Sequence, residues 1–353
     1  MSVFITGLTA LIALAFAVAL VDQWRERRRP FQAIWGIGML FFGVAAGCEA
    51  VAAAVGWNEA LYRTWYLTGA VWTAGWLGLG TIFLLARTRF GYAVALCLLL
   101  AGLFTFLTQQ RYQYAGAGST PVIYFAAGGV LALAVAVATY FQSERWAQIA
   151  FIAIGGATLL SLVLGATTSL AAPGFVLDPA TGVPTADLFP GSLRLLTPWL
   201  NVTGGLSLLF GAVFSAYVFM PKRRVLAYSL DPGQKGDEFL FNIAISIVAY
   251  PVNFVASLPG AVRAFFAGQL HSRVPSTILI AIGAFMASSG DVLQRFGVTE
   301  FFYFGKLLAV VFLFVGFLVS VEAFSVWRIP FTRIVLRRRR AESGPAGESR
   351  PSA

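Results

Sequence analysis

VFITGLTALIALAFAVALVDQWRERRR, residues 3–29, is the stretch that decides the fold. Residues 3–21 carry no charge and are mostly apolar, and then Arg25, Arg27, Arg28 and Arg29 arrive together. About 20 mostly apolar residues are enough for a helix to cross a hydrocarbon layer. The stretch therefore reads as a spanning helix that ends in a cationic cluster. A cleavable secretion signal carries its basic residues ahead of the apolar run. None precedes this one, so it reads as a retained anchor with its N-terminus outside.

The same unit recurs along the chain. Further runs of spanning length occupy residues 31–56, 64–86, 91–108, 121–141, 147–172, 197–220, 276–294 and 301–324. Basic clusters follow alternate runs: Arg87 and Arg89, Arg145, then Lys222, Arg223 and Arg224, and finally Arg337, Arg338, Arg339 and Arg340. The gaps between them carry one basic residue each, Arg63, Arg111, Arg194 and Arg295. Short cytoplasmic loops are enriched in Lys and Arg. With nine spans and the N-terminus outside, all but Arg63, Arg111, Arg194, Arg295 and Lys306 of the 25 basic residues face the cytoplasm.

Composition agrees. Of the residues, 58% are hydrophobic and only 11% charged, where a soluble domain carries about 25% charged. The net charge of +10 sits at membrane edges, so the expected counter-charge is anionic lipid headgroups on the cytoplasmic side and not nucleic acid. Arg27, Arg28, Arg29 and Arg337–Arg340 are the expected headgroup contacts. Trp24, Trp57, Trp65, Trp146, Trp199 and Trp327 lie at span ends, as an interfacial belt predicts.

Residues 239–270 are apolar enough to enter a membrane, but one extra crossing there would invert everything after it and leave Arg337–Arg340 outside. An interfacial helix, or a re-entrant hairpin turning near Leu258-Pro259-Gly260, preserves the topology. Asn242, Ser246, Tyr250, Asn253 and Ser257 recur at threes and fours, on one helical face. That face would meet cytosol or line a polar cavity. The expected fold is thus an all-α polytopic bundle of about nine transmembrane helices plus one interfacial or re-entrant segment. Residues 1–336 form one domain, and 337–353 form a basic, then disordered, cytoplasmic tail. The expected setting is a prokaryotic plasma membrane.

Few residues could carry chemistry. An ionisable side chain in a membrane is costly unless paired or wetted. Glu49 lies seven residues before the outer end of its run, roughly 10 Å deep, and Lys306 lies at matching depth in the last run. An ion pair between them can be a polar pathway or a structural tie. Asp291, after Ser288-Ser289-Gly290, is a third pathway candidate, or an ordinary helix end with Arg295 one turn on. Asn242, Ser246 and Asn253 would join that pathway.

His271 is the single histidine, and Cys48 and Cys97 fall within apolar runs. Neither a haem ligand pair nor a zinc site can be assembled from these, and no cofactor or metal is expected. No GxSxG, HExxH or phosphate-binding loop occurs. Gly43 and Gly47 form a GxxxG pair suited to close helix packing. Trp35, Trp72 and Trp76 lie deep in their spans, where they wall a ligand cavity or pack against glycines.

Three readings of function follow. The first is a non-enzymatic sensory, scaffold or partner-binding membrane module, with a membrane-protein partner. The second is a transporter or channel for a small or hydrophobic solute that uses Glu49, Lys306 and Asp291. A membrane-embedded lipid-modifying enzyme is the weakest, because acid–base residues are so few.

Overall fold

The computed structural model describes residues 3–141, 144–179, 182–229, 239–295, 300–320, 326–328, 330–332 and 334–338, with the backbone alone described at 239–240, 288–295, 300–302, 326–328 and 336–338. Hydrocarbon offers no water to backbone N–H and C=O groups, so apolar runs must close their own hydrogen bonds as helices. They do so as α1 (Val3–Arg27), α2 (Pro30–Val55), α3 (Glu59–Trp65), α4 (Thr73–Leu84), α5 (Gly91–Tyr112), α6 (Thr120–Tyr140), α7 (Arg145–Thr167), α8 (Gly191–Phe219), α9 (Phe239–Phe266), α10 (Arg273–Arg295) and α11 (Glu300–Val319). A π-helical stretch, Tyr66–Trp72, joins α3 to α4.

Counted over the described residues, eight helices are long and apolar enough to cross a membrane, the α3–α4 pair counting as one and α9 being among the eight. Shorter apolar stretches, Arg273–Ala287 and Tyr303–Val319, lie in α10 and α11. The chain is a multi-pass helical membrane protein.

Two points depart from expectation. The third span starts at Glu59, because Asn58 Oδ1 accepts a hydrogen bond from the Leu61 amide at 2.9 Å and caps the helix. The re-entrant hairpin is absent: α9 continues as one helix through Leu258, Pro259 and Gly260. The fold is the expected all-α bundle, with one short ribbon added after α11. An antiparallel ribbon pairs β1 (Val326–Arg328) with β2 (Val335–Arg338). The β-branched and aromatic residues Val326, Trp327 and Val335 suit a strand, and Pro330 between the two strands disfavours a helix there. Arg337 and Arg338 belong to β2, and Arg339 and Arg340 lie outside the described residues.

The chain divides into two compact units. The first comprises Met1–Gly211 with Ala281–Phe314. Its centre is the helix built from α3, the π-helical stretch and α4. That helix buries 67% of its apolar window, against 22% for α6 and 22% for α7. It runs antiparallel to α2, with Trp65 bonded to Glu49 and the Trp35 indole N–H donating to the Leu77 carbonyl at 3.0 Å. Against α7, Trp72 donates to Ser161 Oγ at 2.8 Å and Trp76 to Thr158 Oγ1 at 3.1 Å. Trp35 also fills the space beside Gly80 that a β-carbon would need. The deep tryptophans therefore act as pins between helices.

Beside α8 the central helix runs parallel. Tyr66 OH shares a hydrogen bond with Thr197 Oγ1 at 2.8 Å, and Asn201 Nδ2 donates to the Ala70 carbonyl at 2.9 Å. Further along, a β-carbon at Gly78 would strike the Gly204 backbone, and one at Gly204 would strike Ala74 and Gly75. Only hydrogen fits at that crossing. The α2 pair behaves differently: Gly43 is pressed by Leu14 of α1, while nothing lies within 4 Å of a β-carbon at Gly47.

The second unit comprises Ala212–Ile280 with Val315–Ala353. Ala216, Tyr217, Met220, Ala261 and Val274 form its buried core, with Phe219, Tyr250, Phe254 and Leu270 packed around them. Phe219, the last residue of α8, lies 4.7 Å from the His271 ring and carries the Arg273 guanidinium at 4.3 Å. The end of α8 and the start of α10 therefore meet, and α9 is an excursion that returns to where it left.

Candidate functional site

Glu49 is 2% exposed, on the face of α2 that also buries Ala45, Ala46, Cys48 and Ala52. The Trp65 indole N–H donates to its Oε1 at 2.8 Å, and Lys306 Nζ donates to the same oxygen at 2.6 Å. The expected ion pair is formed, with the Lys306 side chain 21% exposed. Trp65 ends α3 and stacks edge-on with Trp57 at 5.8 Å. A single carboxylate thus ties α2, α3 and α11. Burying it unpaired would be costly, and two strong donors on one oxygen offset that cost.

The end of the bundle around Arg63 is tied as closely. Arg63 donates to the Gly165 carbonyl at 2.5 Å and the Thr168 carbonyl at 2.7 Å, so a guanidinium closes the C-terminus of α7, where the helix dipole favours cations. Its Nη2 also reaches Glu59 at 2.6 Å. The segment from 173 to 190 is built of turns, as its Pro, Gly, Asp and Thr content implies, yet it is well anchored. Phe189 stacks on Tyr62 at 5.0 Å and on Tyr66 at 4.6 Å. Trp57 donates to the Gly182 carbonyl, and Arg194 pairs with Asp187 at 3.1 Å while lying 3.9 Å over the Tyr114 ring.

The polar stripe of α9 has occupants that the sequence did not suggest. Ser257 Oγ accepts from the Arg223 amide at 2.8 Å. Asn253 Oδ1 accepts from the Val225 and Leu226 amides at 2.7 and 2.9 Å, and its Nδ2 donates to the Leu226 carbonyl at 2.8 Å. Asn242 Oδ1 accepts from the Ser229 amide at 3.3 Å, and Ser246 Oγ bonds within its own helix to Ile243. From Asn242 to Ser257 the helix rises about 22 Å, and residues 223–229 extended span about 20 Å. The stripe is a ladder of side-chain amides and hydroxyls that holds this segment along α9, through a bend at Val225 and Leu226. Asn253 is fully buried in doing so.

The Asp291 side chain lies outside the described residues. Arg28 has a left-handed backbone (φ 52°) and rests over Trp24 at 5.2 Å; Arg29 is exposed and Arg27 half-buried. Trp146 and Trp199 are 1% and 4% exposed, so these two belong to the core and not to an interfacial belt. Cys48 and Cys97 are buried free thiols.

Two features escaped sequence reasoning. Asp22, Gln23 and Gln32 are buried at the junction of α1 and α2, although Asp22 precedes Trp24 and Arg25 and looks interfacial. The π-helical stretch carries no propensity signal. Its signature is geometric: the Thr73 amide bonds to Thr68 five residues back, and Thr73 Oγ1 bonds to the same carbonyl at 2.7 Å. Comparison with known protein families, with curated proteins and with solved structures gives no match.

Proposed function

We propose that this multi-pass membrane protein works as a non-enzymatic module that senses or scaffolds through contact with a partner membrane protein. The observation that carries the reading is Glu49. A transport carboxylate has to exchange between solute, water and protein donors. Glu49 is sealed from solvent, with Trp65 and Lys306 both on one oxygen, an arrangement suited to a fixed tie between helices. The α9 stripe supports the same reading, since its amides are spent on backbone groups of the preceding segment. The charge pattern supports an N-terminus outside and a C-terminus in the cytoplasm, with Arg27–Arg29 and Arg337–Arg340 against anionic headgroups.

The test is purification from the native membrane in mild detergent, followed by native mass spectrometry. A stoichiometric second subunit is expected. A lone monomer that moves solute in liposomes, and loses that flux in Glu49→Gln at unchanged melting temperature, would establish the transport reading instead.

A further inference from the structure

Among the described residues, nothing covers the face of α9 opposite its polar stripe. Phe241, Ile245, Val248, Val252, Val255 and Val262 recur at threes, fours and one seven along it and are 39–72% exposed. The covered face is already filled by residues 223–229 and by the ends of α8 and α10, so no rotation of the helix could hide the bare one.

Two observations decide what covers it. The first is the course of the chain, which leaves Phe219 along an extended segment and returns along α9 to Arg273, beside Phe219. Between the outward and return limbs the sequence reads DPGQKGDE at 231–238, with Asp231, Lys235, Asp237 and Glu238. Charges of that density cannot sit in hydrocarbon, nor can the exposed Lys222, Arg223 and Arg224. The excursion as a whole therefore stays at the level of water, while its bare face, too broad for water, needs apolar cover. Only a helix lying along the membrane boundary meets both demands. The second observation is charge. Lys222, Arg223 and Arg224 are exposed at the Ser257 end of the ladder, Arg263 is exposed on α9, and the described residues from 212 to 280 include no Asp or Glu.

We infer that α9 lies in the plane of the membrane with its bare face among the acyl chains of one leaflet, and that Lys222, Arg223 and Arg224 bind the anionic phospholipid headgroups of that leaflet. This holds whichever function the helical bundle serves.

The experiment uses the full chain with Cys48→Ala and Cys97→Ala, spin-labelled at Ile245→Cys or Val262→Cys, in phosphatidylcholine vesicles with and without phosphatidylglycerol. Equal, shallow depths at the two positions are expected from collisional quenching. A helix entering steeply would separate the two by about 25 Å, and that result would overturn the inference. So would free access of a water-soluble quencher to both labels, or shielding that appears only when a second protein co-purifies. In a second arm, Lys222→Gln/Arg223→Gln/Arg224→Gln should lower the preference for phosphatidylglycerol in the bound lipid about tenfold while leaving label depth unchanged. An unchanged preference would remove the headgroup half of the inference.

Discussion

At the scale of single residues, Glu49 concentrates more structural consequence than any other charge. Glu49→Ala strands the Lys306 ammonium and frees the Trp65 N–H, and removing one partner of a buried pair costs about 3–5 kcal/mol. Lys306→Met strands the carboxylate and should destabilise in the same direction. Glu49→Gln/Lys306→Met keeps an acceptor for Trp65 and removes both charges, so its melting temperature should lie above that of either single variant. Equal or additive losses in the three would contradict the tie. Asn253 invites a second measurement. Asn253→Ala deletes three hydrogen bonds at about 1 kcal/mol each, so trypsin should cut at Lys222–Arg224 much faster than in the parent while global melting shifts little. The sequence revealed Glu49 and Lys306 because any charge in an apolar run stands out. It revealed the positions of Asn242 and Asn253 but not their job, because helical spacing says which face a residue occupies and nothing about what lies against it. Asp22 went unnoticed for the opposite reason: its charged neighbours disguised its burial.

At the scale of elements, nearly every helix was visible as an apolar run, but its ends were not: the third span starts at Glu59, where Asn58 caps it, and not at Thr64. The helix contacts were much less visible. A GxxxG pair predicts close approach at both glycines, yet Gly43 is pressed against Leu14 and Gly47 faces open space. The tightest crossing, Gly78 on Gly204, joins helices far apart in sequence and has no local signature. A matched set of variants checks this. Gly204→Ala must push α4 and α8 apart, an overpacking cost of about 1–3 kcal/mol. Gly205→Ala and Gly47→Ala, with nothing within 4 Å, should melt like the parent. If Gly204→Ala also melts like the parent, the crossing is looser than described. The π-helical stretch was equally hidden. It opens the ladder of backbone bonds where Asn201 of α8 reaches the Ala70 carbonyl, so it depends on a neighbour and not on its own residues.

At the scale of the whole molecule, the alternating arginines specify a threading, and cysteine labelling examines it. In the background lacking Cys48 and Cys97, Pro30→Cys should react with a membrane-impermeant maleimide only from the cytoplasmic side and Ala115→Cys only from the outside. Reaction of both from one side would refute nine crossings. The multi-pass helical character was legible in the sequence, because hydropathy over about 20 residues marks a helix that can cross a membrane. The one ambiguity was α9, whose length and apolarity match a span. Its polar ladder and the meeting of Phe219 with Arg273 are the observations from which an in-plane α9 is inferred.

The bond between Lys306 and Glu49 has a meaning beyond stability. Glu49 stands near the C-terminal end of α2, and α11, with Lys306 near its N-terminal end, can reach that depth only if it begins on the face where α2 ends. Insertion machinery that mistook α9 for a span would start α11 on the opposite face, with Lys306 and Glu49 held apart across the bilayer and each abandoned in lipid. The ion pair is in this sense a parity check on biogenesis. Correctly counted chains can close it, and miscounted chains would leave both charges unpaired.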